Sequence, residues 1–146
     1  MYHKEDTVYR DLMGARDMTV DDSTLLAELN AIANHEFELE ALNKGSANGA
    51  FRLFIGTIIA GFSVHLQNTA NNDSMRVFYS ELMSRMLNTL LKSEYGTREY
   101  KIFMIKLKNN DREDYLKHLI KSCLDVCIKT IIQGFDKVLL NNQSKK

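Results

Sequence analysis

The sequence predicts an all-α fold: a compact bundle of five or six helices around a central apolar helix at about residues 51–66. Three observations carry this. The 146 residues include no proline, and proline in a helix interior costs about 3 kcal/mol, so long helices are unobstructed. Apolar residues recur at i, i+3, i+4 and i+7 in one segment after another. The stretch from Phe51 to Leu66 is apolar on most of its circumference, as a helix in the middle of a bundle is. The length suits one domain, 1–146, with frayed ends at about 1–4 and 141–146.

The elements follow in order. A short first helix is expected from Glu5 to Met13, stopped by Gly14. Asp21, Asp22 and Ser23 offer capping oxygens for a second helix. Along it Leu25, Leu29, Ile32, Glu36 and Leu39 form a stripe adjoined by Leu26, Ala33 and Phe37, and Gly45 is the expected left-handed stop. The third helix spans about 47–67, with Gly56 and Ala60 four apart so that a neighbouring backbone can approach. After the polar run 68–73, Ser74 is the expected cap of a fourth helix. Its seam is Phe78, Leu82, Met86 and Leu90, widened by Tyr79, Met83 and Leu87, and Gly96 closes it. Tyr100, Phe103, Met104 and Leu107 give a fifth helix over 98–108. Asp111 and Asp114 imitate a capping box for the last, 112–140, whose inner face is Leu116, Ile120, Cys123, Cys127 and Ile131. Leu119, Leu124, Ile128, Phe135 and Leu139 widen that face, and Gly134 loosens its final turns.

The formal charge is zero, 19 basic against 19 acidic side chains, but it is unevenly spread. Residues 1–45 carry 4 basic and 10 acidic groups (net −6), 46–96 carry 4 and 3 (net +1), and 97–146 carry 11 and 6 (net +5). Such ends are expected to neutralise each other, the alternative being a basic face presented to an acidic partner. The N-terminus has charge without an apolar run behind it, so a secretory signal is not expected. Residues 51–66 interrupt their apolar run with Arg52, Gly56, Thr57, Gly61, Ser63 and His65, and a bilayer span takes about 20 apolar residues. Two cysteines make no disulfide scaffold, and the expected compartment is the reducing cytoplasm.

Chemistry-bearing residues are few. Arg112 and His118 stand on a predicted helix with five residues between them. That spacing resembles the R-x4-6-H motif of HEPN-type ribonucleases, which are all-helical and often dimeric. The resemblance implies His118 as acid/base and Arg112 as the group that steadies the phosphate. It covers two residues, and Glu113 stands where the family carries a polar Asn, Asp or His, placing negative charge near the phosphate. Metal ligation has less behind it. Asp114 and His118, or Glu36 and Glu40 beside His35, share a face, but Ile32, Phe62 and Tyr115 precede His35, His65 and His118 by three, so the Glu-x-x-His pair of a di-iron bundle is missing. The run His35 to Glu40 is similar to the acidic helices of helical nucleotide pyrophosphohydrolases. Their second Glu-x-x-Asp element is absent, because Glu81 is followed by Leu82, Met83 and Ser84. Cys123 and Cys127 sit in an apolar stripe and are expected to pack as small hydrophobes. His65 reads as a histidine bonded to a neighbouring polar group. No metal and no cofactor is expected.

The basic end supplies the remaining candidates. Lys101, Lys106, Lys108, Lys117 and Lys121 are the expected partner-binding residues, with Arg98 and Lys129 nearby and Tyr100, Phe103 and Tyr115 interleaved. Lysine with aromatics suits a nucleic-acid backbone. Arginine, the bidentate reader of bases, is only two of the eleven basic residues there, which disfavours sequence-specific reading. Met75, Met83, Met86 and Met104 suit adaptable apolar surfaces. The function expected from this balance is a non-enzymatic helical adaptor, regulator or chaperone-like protein acting through protein–protein contact. Its partner is another protein or a second copy of itself, a homodimer being preferred. The alternatives are a HEPN-like ribonuclease using Arg112 and His118, and a nucleic-acid backbone binder using the lysine-rich last third.

Overall fold

A computed structural model describes residues 4–44, 49–70, 72–92 and 97–144, with the backbone alone at 4–6, 50, 86, 87, 89–92, 97–101 and 134–144. Six helices and no strand occur among the described residues: α1 Lys4–Val20, α2 Ser23–Ala41, α3 Gly49–Thr69, α4 Asp73–Lys92, α5 Thr97–Asn109 and α6 Arg112–Ser144. None of them is long and apolar enough to cross a membrane.

α1 does not stop at Gly14. Val8, Leu12, Ala15 and Thr19 are all fully buried at steps of four, three and four, so packing carries the helix through the glycine. Gly14 lies on the exposed side, with nothing within 4 Å of where a Cβ would stand. Asp22 caps α2 as expected, its Oδ1 accepting from the N–H groups of Thr24 (3.0 Å) and Leu25 (3.2 Å). The C-terminus of α2 comes before Gly45. Asn43 adopts φ 56°, and the Asn43 and Lys44 N–H groups return to the carbonyls of Glu40 and Leu39. Asparagine tolerates the left-handed region, so it forms a Schellman stop without a glycine; Gly45 lies outside the described residues.

The cap of α4 is Asn72, not Ser74: its Oδ1 accepts from the Met75 N–H at 2.9 Å, and the helix starts at Asp73. Tyr79 and Met83 form its most buried pair, with Phe78 and Leu82 half-buried, while the side chains of Met86, Leu87 and Leu90, and Gly96 itself, lie outside the described residues. α5 matches its expected span, and Phe103, Met104 and Leu107 are its buried face. The Asp111 carbonyl accepts from Tyr115 and begins α6, which continues to Ser144, past the expected end at Leu140. Leu116, Ile120, Leu124, Cys127, Ile128 and Ile131 form its core side; the side chains of Phe135 and Leu139 lie outside the described residues.

α3 packs against α1, α2, α4 and α6. Phe54, Ile55, Ile58, Ile59, Phe62 and Leu66 are its buried side. Phe103 of α5 meets Phe54 edge-on at 4.9 Å and stands 6.1 Å from Tyr115 of α6, tying α5 to both neighbours. Among the described residues no neighbouring backbone approaches at Gly56 or Ala60; the tight glycine of α3 is Gly61, where a Cβ would lie 3.3 Å from a side-chain methyl of Leu25 in α2. Nothing lies within 4 Å of a Cβ built on Gly56, and Ala60 is exposed.

Candidate functional site

Arg112 is occupied in joining two helices. Its Nη1 donates to Asn30 Oδ1 (2.8 Å) and Asn34 Oδ1 (2.6 Å) of α2, and its guanidinium carbon lies 5.2 Å from the centre of the Phe37 ring. These partners recur at steps of four and three along α2, so one planar cation spans two turns of that helix. His118 is exposed, and six residues along a helix turn it through about 240°, away from the direction of Arg112. The structure does not bring the two together within one chain.

The lysines stand outward. Lys106, Lys108, Lys121 and Lys129 are exposed, Lys117 is half-buried and reaches Glu113 on its own helix at 3.7 Å, and the side chain of Lys101 lies outside the described residues. Glu28, Glu38 and Glu40 of α2 are exposed too. Among the described residues no ion pair joins Lys106, Lys108, Lys117, Lys121 or Lys129 to a carboxylate of α1 or α2. One ion pair between the first and last thirds runs in the opposite sense: Arg16 Nη1 meets Asp125 Oδ1 at 2.7 Å. Asp125, first, and Asp17 hold the Arg16 proton more firmly than in water, overcoming partial desolvation.

His65 is bonded to a polar neighbour as expected, and the neighbour is the α2 cap: Nε2 stands 2.8 Å from Asp22 Oδ2. That contact lowers the Asp22 carboxyl below its usual range, and the two capping N–H groups add to the effect against desolvation. Cys127 is buried and Cys123 half-buried, both as free thiols packed in the core. Sharing a proton with Cys123, together with burial, pushes the Cys127 thiol up, which makes it a poor nucleophile. Glu36 is 5% exposed whereas Glu40 and His35 are exposed, so these three do not converge. Among the described residues no group of three or more His, Cys, Asp or Glu could hold a metal ion. Met83 and Met104 belong to the core and Met75 packs against it; Met18 of α1 is the exposed methionine among the large exposed apolar residues.

Two surface features were not legible as sites. A groove of about 400 Å³ runs between α1 and α6, with Met13, Ile128 and Ile132 along it, Tyr9 at its mouth and the Arg16–Asp125 pair beside Lys129. The second is the outer face of α3. Leu53 (56% exposed), Thr57, Ala60 and Val64 (57% exposed) follow one another at steps of four, three and four, within an arc of about 60°. The Thr57 hydroxyl is turned back to the Leu53 carbonyl at 2.7 Å, which leaves its methyl for contact. Gly56 borders this stripe and is open above. No ionisable side chain interrupts it; the exposed Arg52 of the same helix stands to one side of the stripe. A signal was present in the sequence: Arg52 and His65 are the only ionisable side chains from residue 49 to 69, too few to cover the outer side of a 21-residue helix.

Comparison of the chain with protein-family models, with curated proteins and with solved structures gives no match.

Proposed function

We propose that this protein is a non-catalytic interaction module, an adaptor, regulator or chaperone-like subunit that works through the apolar stripe on the outer side of α3. The observation that carries this is the stripe Leu53, Thr57, Ala60 and Val64, with two large apolar side chains more than half exposed. Contiguous exposed apolar surface mostly marks a contact site, because leaving it in water forfeits roughly 25 cal/mol per Å². The partner is a protein, and a second copy of this chain is the preferred one. Free thiols and the expected cytoplasmic location fit together, since thiols persist in a reducing compartment. The test is Leu53→Arg combined with Val64→Glu, two changes on exposed positions that leave the core intact. Loss of association, whether with itself or with a co-purifying protein, supports the reading; unchanged association through both substitutions overturns it.

A second reading, binding to a nucleic-acid backbone, draws on the exposed Lys106, Lys108 and Lys121. It requires binding that weakens steeply with salt and with Lys106→Glu plus Lys121→Glu. The ribonuclease alternative requires cleavage of single-stranded RNA that His118→Ala abolishes; with Arg112 engaged on α2, the interaction reading expects RNA to stay intact.

A further inference from the structure

We propose that Cys123 and Cys127 form a two-thiol site on α6 for a monosubstituted trivalent arsenical, a soft centre that takes two sulfurs and needs no further ligand. This goes beyond the interaction role and does not depend on it. Both residues are free thiols on one side of the helix, Cys127 buried and Cys123 half-buried. Four residues apart, their Cβ atoms stand about 5–6 Å from each other. A disulfide needs Cβ atoms about 3.5–4.5 Å apart, so a regular helix sets the two sulfurs side by side without letting them join. A larger atom bonded to both spans that gap. The Cys127 thiol donates to Cys123, which eases ionisation of the outer sulfur and makes it the first to react.

Donor number and charge choose the ligand. Thiolates select soft centres. Structural zinc takes four donors, and among the described residues no third His, Cys, Asp or Glu joins the pair. The residues three and four positions from the two cysteines along α6 are Leu119, Ile120, Leu124, Val126, Thr130 and Ile131, none of them ionisable. Ile120, Leu124 and Ile131 are buried, while Val126 and Thr130 are exposed on the Cys123 side. The Thr130 hydroxyl is turned back to the Val126 carbonyl at 3.0 Å. A Cu(I) ion between two thiolates would leave a net negative charge in these surroundings, which is costly. The arsenical leaves none. An oxide R–As=O gains two As–S bonds and loses its oxygen, which departs as water with both thiol protons. Arsenic stays trivalent, so nothing is oxidised or reduced and the adduct is neutral. Half-buried Leu119 and exposed Val126 offer its organic group an apolar surface.

The test is native mass spectrometry of the reduced wild-type protein with phenylarsine oxide, beside Cys123→Ala and Cys127→Ala. The expected wild-type adduct carries one phenylarsenic group in place of two thiol protons, with the helical circular dichroism retained. A dithiol such as 2,3-dimercaptopropanol should remove it, and an equal concentration of a monothiol should not. Each variant should bind about a hundredfold more weakly, because losing one sulfur removes the second, intramolecular bond. Alanine keeps both positions apolar, and Cys123→Ser at the half-buried position repeats the comparison should Cys127→Ala fail to fold. A variant that binds as tightly as the wild type overturns the inference. So does an adduct that forms only in urea, since the folded helix would then deny access to the pair.

Discussion

Arg112 offers the sharpest separation of a structural role from a chemical one. Replacing it with alanine removes two hydrogen bonds from a cation, to Asn30 and Asn34, and the stacking of its guanidinium over Phe37. Both asparagines are exposed, so water takes over their oxygens and no penalty for an unsatisfied buried group arises. Bonds of this kind then contribute about 0.5 kcal/mol each, at the low end of their range. The cation–π contact at a partly exposed site adds about 0.5–1 kcal/mol. The expected loss is about 1.5–2 kcal/mol, or roughly 3–8 °C in Tm for a chain of this length. Urea unfolding followed by circular dichroism measures it, and Arg112→Lys, which keeps charge without the planar fork, should fall between alanine and wild type. A stability change below about 0.3 kcal/mol for the alanine variant would refute the reasoning and free Arg112 for another task.

Other substitutions test the packing. Gly14→Ala should stabilise the fold by about 0.5–1 kcal/mol, because the position is mid-helix with open space around the added methyl; a loss in urea midpoint would show that α1 is not continuous there. Tyr79→Phe removes the bond from the Tyr79 hydroxyl to Asp11 Oδ2 (2.9 Å) that ties α4 to α1, and should cost about 1 kcal/mol by the same unfolding assay. Asp22 is lowered in the folded state, so its charged form contributes stability above its unfolded pKa of about 3.9, and that contribution is lost as pH falls through the lower folded value. The stability gap between wild type and Asp22→Asn should therefore close as the pH falls from about 5 through the lowered carboxyl value; a gap that widens in acid would contradict the assignment.

What the sequence made legible was periodic. Helices rest on repeats such as Phe103, Met104 and Leu107, or Leu116, Ile120, Cys127 and Ile131, and these are local. Helix ends were less legible because several neighbours can do the same job. Asn72 and Ser74 both cap, Asn43 and Gly45 both accept a left-handed backbone, and the choice depends on how the chain enters the next turn. Gly14 misled because its propensity cost is small beside the buried stripe of Val8, Leu12, Ala15 and Thr19. The partners of Arg112, 78 and 82 residues away, carry no local signal, nor does the His65–Asp22 contact across 43 residues. α3 misled most. Its composition suggested burial all round, but the helices packed on it leave Leu53, Ala60 and Val64 uncovered.

Sedimentation equilibrium of the wild type and of Ala60→Arg bears most directly on that uncovered face. Ala60 is exposed, so arginine there should leave the helical circular dichroism unchanged while placing a charge within the apolar stripe. The expected result is a wild-type mass about twice 16.8 kDa and an Ala60→Arg mass of 16.8 kDa. A wild type that remains at 16.8 kDa, or an Ala60→Arg variant that remains dimeric, would contradict the account.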